Sequence, residues 1–204
     1  MSSFYELLNN GTKFNNRRFI DTFSGKQLDT TSNWTLNQIS SGCTATLGDS
    51  VNGGLKMATD DGSSPSASLT FGAFNQFKPF ASSIVGNCKK GQTNIGIKYG
   101  LANDNTVTPP SCALMAEGSF VSYRTLQTND ESNTASDVAL GTDWFDFKID
   151  MENASCYMYL DGILKVSKTT NIPLVELQPF LYIQSRSTAA VKYWNTTYCE
   201  AWNH

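Results

Sequence analysis

Charge is scarce in this chain. Only 16% of its 204 residues are Asp, Glu, Lys or Arg, against roughly 25% in an average soluble protein. The formal net charge is -3 and no Lys/Arg stripe is present, so nucleic acid is not an expected partner. Histidine is scarcer still, with His204 the one example. A Ser-His-Asp or Cys-His catalytic site elsewhere has no imidazole to draw on, and most zinc arrangements fall with it. No run of about 18 apolar residues occurs, so no membrane insertion is expected. The opening MSSFYELLNNGTKFNNRRF has no basic stretch followed by an apolar one, so no secretory signal is expected. The five cysteines, Cys43, Cys88, Cys112, Cys156 and Cys199, include no C-x-x-C pair. They read as free thiols made in a reducing compartment and buried as small hydrophobes.

Small polar side chains take the place of charge. Ser, Thr and Asn make up about three residues in ten, and aromatic rings 12%. Turn formers recur about every 8–12 positions, with two-residue alternation between them, as in a succession of short strands. Trp144–Met151 is the clearest strand. Phe145, Phe147, Ile149 and Met151 fall on one side, and Trp144, Asp146, Lys148 and Asp150 on the other. Ser155–Leu160 then alternates Cys156, Met158 and Leu160 against Tyr157 and Tyr159. Asp161-Gly162 supplies the positive-φ pair of a tight hairpin, and Ile163–Ser167 returns from it. Further strands are predicted at Arg18–Phe23, Trp34–Ile39, Cys43–Leu47, Gly54–Ala58, Ser66–Phe71, Ala81–Cys88, Thr93–Tyr99, Cys112–Ala116, Ser119–Leu126, Pro179–Ser185 and Val191–Ala201. Thr59–Pro65, Asn103–Pro110 and Thr128–Ser136 read as loops. The pattern predicts an all-β, two-sheet antiparallel sandwich of jelly-roll type over residues 17–204. Residues 1–16 read as an N-terminal arm with a short helix. Ser3 and Glu6 have capping-box spacing, Phe4, Leu7 and Leu8 share a face, and Asn10-Gly11 ends the helix.

Several segments, in order, carry a family likeness. Phe19–Asp29 (FIDTFSGKQLD) is followed by Trp34, then by Gly53-Gly54-Leu55. Gly141–Ile149 (GTDWFDFKI) and Tyr157–Gly162 (YMYLDG) come later. Together, from Phe19 to Trp202, the chain resembles concanavalin A-like lectin/glucanase sandwiches of the laminarinase type. The resemblance implies two curved antiparallel sheets, the concave one forming a groove. Enzymes of that superfamily carry E-x-D-x-x-E on one strand, because a retaining glycosidase needs two carboxylates about 5–5.5 Å apart. The corresponding strand is expected at Ser119–Leu126, which holds no carboxylate, with Glu117 alone before it. Asp146 and Asp150 share a face of the next strand but stand about 13 Å apart by strand rise. On this basis the chain is expected to be a non-catalytic member and not an enzyme.

A lectin-type groove needs flat rings for the apolar faces of sugars and polar groups for their hydroxyls. Candidates are Tyr123, Arg124, Trp144, Tyr157, Tyr159, Tyr182, Tyr193 and Trp194, with packing between sheets as the alternative role for each ring. Calcium is common in the resembled superfamily, and Asp21 and Glu200 are its candidate ligands, the alternative being ordinary surface carboxylates. Phe4, Tyr5 and Leu8 are candidate assembly contacts. Two classes of function fit. The first is a structural subunit on a virion surface, a capsid decoration or minor structural protein. It would be made in a host cytoplasm and partnered by its own copies or by other virion proteins. The alternative is a carbohydrate-binding module for glycan or host-surface attachment, in an extracellular setting, with a glycoside hydrolase third. At the hairpin, Gly162→Val puts a β-branched residue where φ must be positive. The expected outcome is a lower melting temperature, and an unchanged one would remove that turn.

Overall fold

The computed structural model describes residues 18–186 and 191–204, apart from 26, 31–32, 39, 49–53, 63–64, 71–76, 78–80, 91–94, 104–110, 118–119, 128–129 and 140–142. The expected N-terminal helix and Phe4, Tyr5 and Leu8 therefore lie outside the described residues. What is described is all β. In chain order the strands are β1 (Arg18–Asp21), β2 (Thr35–Gln38), β3 (Thr44–Leu47), β4 (Leu55–Ala58), β5 (Ser66–Thr70), β6 (Ala81–Lys90), β7 (Ile95–Ala102) and β8 (Ser111–Glu117). They continue with β9 (Phe120–Gln127), β10 (Asp130–Ala139), β11 (Trp144–Glu152), β12 (Ser155–Leu160), β13 (Ile163–Lys168), β14 (Gln178–Ser185), β15 (Tyr193–Thr196) and β16 (Cys199–Asn203).

Two antiparallel sheets pack face to face. The nine-stranded sheet runs β13-β12-β11-β6-β15-β4-β3, with β16 also on β6 and β1 on β16. The seven-stranded sheet runs β10-β9-β8-β7-β14-β5-β2. This is the expected two-sheet jelly-roll sandwich, with two corrections to the strand inventory. The predicted loop at Thr128–Ser136 is mostly strand, because β10 pairs with β9 from Asp130↔Gln127 to Ala135↔Ser122. Its Asn, Asp and Ser residues are turn formers by propensity, but the neighbouring ladder overrides that preference. The single strand expected at Val191–Ala201 is two, β15 and β16, both paired with the long β6.

Alternation was legible where one face is wet. β11 buries Phe147, Ile149 and Met151, and β12 buries Cys156, Met158 and Leu160. By contrast, every residue of β5 and β7 is buried. Such strands give no alternation to read. The turns follow backbone stereochemistry. Asp161 and Gly162 have φ of 48° and 76°, as a two-residue hairpin between right-twisted strands requires. Asn153 and Ala154 make the same turn between β11 and β12, at φ 49° and 60°. Cys43, Cys156 and Cys199 are free thiols buried in the core, and Cys88 is buried with them.

The core is organised around rings that reach from one sheet to the other. Tyr99, on β7 of the seven-stranded sheet, is fully buried. Its ring meets Phe147 edge-on at 4.5 Å and Trp194 at 5.5 Å, both on the nine-stranded sheet. Its hydroxyl donates to the Tyr198 carbonyl at 2.9 Å, so the polar end of a buried ring is satisfied. Room for that ring comes from Gly86 on β6, where an added Cβ would lie 2.7 Å from Tyr99 Oη and 2.9 Å from Cζ. At the other end of the sandwich Trp34 packs on Phe19 at 5.5 Å and Phe23 at 5.7 Å. There Asp21 accepts Trp34 Nε1–H at 2.8 Å and Phe23 N–H at 2.7 Å. Gly86→Ala is an overpacking substitution, expected to cost about 2 kcal/mol. For a chain of this size that is a fall of roughly 4–8 °C in Tm. Thermal unfolding followed by circular dichroism checks it, and an unmoved Tm would mean that Tyr99 does not press on β6.

Candidate functional site

The face of the nine-stranded sheet turned away from the core carries a cluster of rings and charges. The alternation of β11 sends Trp144, Asp146, Lys148 and Asp150 outward, and β12 adds Tyr157 and Tyr159. Register sets the neighbours. Lys148 lies opposite Tyr159 on one side and Val85 on the other. Asp150 lies opposite Tyr157 and Ser83, and Ser83 in turn lies opposite Trp202 on β16. The β12–β13 turn is clamped to the start of β11, since Asp161 Oδ1 accepts the Asp146 N–H at 2.9 Å and the Asp146 carbonyl accepts the Asp161 N–H at 2.8 Å. That clamp frames an open depression of about 400 Å³ lined by Val85, Asp146, Phe147, Lys148, Tyr159, Gly162 and Tyr198.

The charges in and beside the depression are unequally committed. Lys148 Nζ is 2.8 Å from Asp150 Oδ2 and sits over the Tyr159 ring at 5.6 Å and the Trp202 ring at 6.0 Å. Asp150 Oδ1 accepts the Ser83 hydroxyl at 2.5 Å and lies 2.9 Å from His204 Nε2. Burial works against the Asp150 charge, but Lys148, Ser83 and His204 outweigh it and hold its pKa below the ordinary carboxylate value. Asp146 is less occupied. Among the described residues its carboxylate has one partner, the Tyr198 hydroxyl at 3.5 Å. Burial first, and the Asp146 charge second, raise the Tyr198 pKa. Ser83, His204 and Asp150 together do not form a nucleophilic relay. The same Nε2 faces both oxygens, at 2.9 Å each, and the Ser83 hydroxyl is spent on the carboxylate.

The sequence candidates separate into three places. Trp144, Tyr157 and Tyr159 stand on this outer face, Trp144 being 44% exposed, and Tyr193 stands there too, under Lys56 Nζ at 4.5 Å. Tyr123 and Trp194 are in the core with no exposed surface. For Tyr123 the reason is strand parity, since it and Arg124 are adjacent on β9 and point to opposite faces. For Trp194 it is the break between β15 and β16, which fixes the parity of β15 separately. Arg124 and Tyr182 belong to the seven-stranded sheet and are buried. There Tyr182 stacks with Phe180 at 6.2 Å beneath Lys98 Nζ at 4.8 Å. Asp21 and Glu200 do not converge on a calcium ion. Asp21 turns inward to Trp34, whereas Glu200 turns outward to Arg18 at 2.7 Å. Among the described residues no group of three or more His, Cys, Asp or Glu is placed to hold a metal. Sequence reasoning missed Ser83, Val85, Tyr198, Trp202 and His204. Alternation in Cys199–Asn203 could have found Trp202, but Tyr198 lies in the break, where no period applies.

No family model matches the chain, and no curated protein matches it by sequence. Solved structures do match by fold. A family 16 glycoside hydrolase of Bacteroides ovatus, solved with a mixed-linkage glucan product, superposes with a TM-score of 0.68 at 10% identity, covering 89% of this chain and 98% of the other. The Bacillus licheniformis β-glucanase gives 0.62 at 12% identity over 92% and 98%. The carbohydrate recognition domain of Emp47p gives 0.60 at 11% over 91% and 94%. The fold is thus the concanavalin A-like jelly roll shared by glucanases and lectin-like domains. The expectation that the chain is not an enzyme is corrected by these matches, since family 16 glycoside hydrolases stand among its structural neighbours. That expectation also rested on an incomplete strand inventory. The strand before β11 is β10, and β8 and β10 bring Glu117, Asp130, Glu131 and Asp137 into the seven-stranded sheet.

Asp150 gives a pH prediction. A carboxylate whose folded pKa lies below its unfolded value of about 3.9 stabilises the fold above that value. The contribution is lost as pH falls through the depressed folded pKa. Asp150→Asn is therefore expected to lower Tm near neutrality and to flatten the decline of Tm on the acid side. Unfolding measured between about pH 2 and pH 7 checks it, and parallel acid limbs for the two proteins would remove Asp150 as an acid-sensitive group.

Proposed function

We propose that this chain recognises carbohydrate, and that a sugar ring is held in the depression on the outer face of the nine-stranded sheet. The observation that carries the reading is the meeting of two tyrosine rings, Tyr159 and Tyr198, with the lightly occupied Asp146 carboxylate and the Lys148 ammonium around an apolar Val85 floor. A sugar offers an apolar ring face and a rim of hydroxyls. The tyrosines suit the first and the carboxylate accepts from the second, while Lys148 donates. The fold supports the reading, because neighbours that share it include glucan-active enzymes and a carbohydrate recognition domain. The exposed depression also favours this face over the seven-stranded one, where Phe180, Tyr182, Lys98 and Arg124 are buried.

Isothermal titration with mixed-linkage β-glucan oligosaccharides tests the reading. Saturable binding is expected, about fivefold to tenfold weaker for Tyr159→Ala, the loss of one ring contact. Release of reducing ends in the same mixtures separates binding from cleavage. No heat of binding across a panel of neutral oligosaccharides, or equal affinity of the variant, would overturn the proposal.

A further inference from the structure

A second surface on the same sheet has a different chemistry. Across five adjacent strands the register aligns five outward residues: Trp144 on β11, Lys89 on β6, Asn195 on β15, Lys56 on β4 and Thr46 on β3. At about 4.8 Å per strand the row is some 19 Å long and runs perpendicular to the strands. Each lysine is held against a ring. Lys89 Nζ lies 5.9 Å from the Trp144 ring and Lys56 Nζ 4.5 Å from that of Tyr193. Among the described residues neither ammonium has a carboxylate within ion-pair distance. The acids on either side of Trp144 in the sequence are Asp143 and Asp146. Asp146 has Tyr198 as its partner, and Asp143 is exposed.

We propose that this row is a binding site for an anionic glycan, a polysaccharide bearing sulfate or carboxylate groups. The rings fix each ammonium without neutralising it, so its charge is left for a ligand. The two lysines stand two strands apart, about 10 Å. That spacing suits a polymer charged about once per disaccharide. A nucleic-acid duplex carries a charge every ~1.7 Å, far denser than two ammoniums standing two strands apart can match. The flat face of Trp144, 44% exposed at one end of the row, and the Asn195 amide at its centre supply the contacts that a sugar ring and its hydroxyls take. The site is separate from the depression at Tyr159 and stands whether or not that depression holds a sugar.

Affinity electrophoresis of the full chain tests it. The probes are hyaluronan for the carboxylate and κ-carrageenan for the sulfate, each beside its carboxyl-reduced or desulfated neutral twin. Retardation is expected in at least one charged gel, weak in its twin, and declining with added salt. The double variant Lys56→Gln/Lys89→Gln and the single variant Trp144→Ala are each expected to bind about tenfold more weakly, with thermal unfolding confirming that both are folded. The proposal is overturned by no retardation of the wild-type chain in either charged gel, or by equal retardation of the double variant. It is also overturned if Trp144→Ala leaves affinity unchanged, or if duplex DNA or phosphatidylserine vesicles bind as tightly as the glycan.

Discussion

The buried hydroxyl of Tyr99 ties the core of this molecule to its surface. A phenol in the middle of a sandwich must find an acceptor or pay desolvation of its O–H. Its acceptor is the carbonyl of Tyr198, on the opposite sheet, and Thr196 Oγ1 donates to the same oxygen at 3.1 Å. The stretch between β15 and β16 is thus held from inside. From the sheet itself, the Asn87 amide takes Thr197 N–H at 2.8 Å and reaches Thr197 Oγ1 at 2.6 Å. A strand break that would otherwise be free to shift is fixed on both sides, and the Tyr198 ring is left standing in the wall of the surface depression. Core satisfaction and site geometry are therefore one arrangement, joined through the bare backbone of Gly86.

The outer face divides by charge. Around the depression the acids outnumber the bases, and Lys148 is shared between Asp150 and two rings. Toward β4 the balance reverses, and among the described residues the lysines have rings but no acids within ion-pair distance. On β6 and β11 the two halves occupy nearby outward positions, so one sheet presents two chemistries a few residues apart. Rigidity favours recognition at such a surface, because side chains planted on a ladder lose little further freedom when a ligand arrives.

Legibility from sequence followed solvent exposure. β11 and β12 could be assigned residue by residue, because Phe147 and Ile149 are buried where Lys148 and Asp150 are wet. Asp161-Gly162 announced its turn, while Asn153-Ala154 did not, because Ala carries no signal for a positive φ. β7 and β14, covered on both faces, looked like apolar runs of no defined orientation. That is why Tyr182 has no face readable from the sequence, whereas Tyr123 enters the core by its parity on β9 and Trp194 by the separate phase of β15. The depression itself was half visible. Its ring on β12, Tyr159, could be read, but Val85 arrives from β6, more than fifty residues before β12, and Tyr198 from the break between β15 and β16, more than thirty after it. Nothing in the polar, low-charge composition separates a virion subunit from a sugar binder, since both present Ser, Thr and Asn to water.

The pairing of β1 with β16, Arg18 against Trp202 and Asp21 against Cys199, has a bearing on how the chain acquires its structure. β6, near the middle of the sequence, finds three of its partners only after residue 143. The nine-stranded sheet therefore cannot close before β15 and β16 are made, and β1 must wait with its hydrogen-bonding edge open until residues 199–202 have been synthesised. Such nonlocal pairing is slow, and an unpaired edge invites the wrong partner in the meantime. Arg18 at the start of β1 places a charge on that waiting edge before Glu200 arrives to receive it.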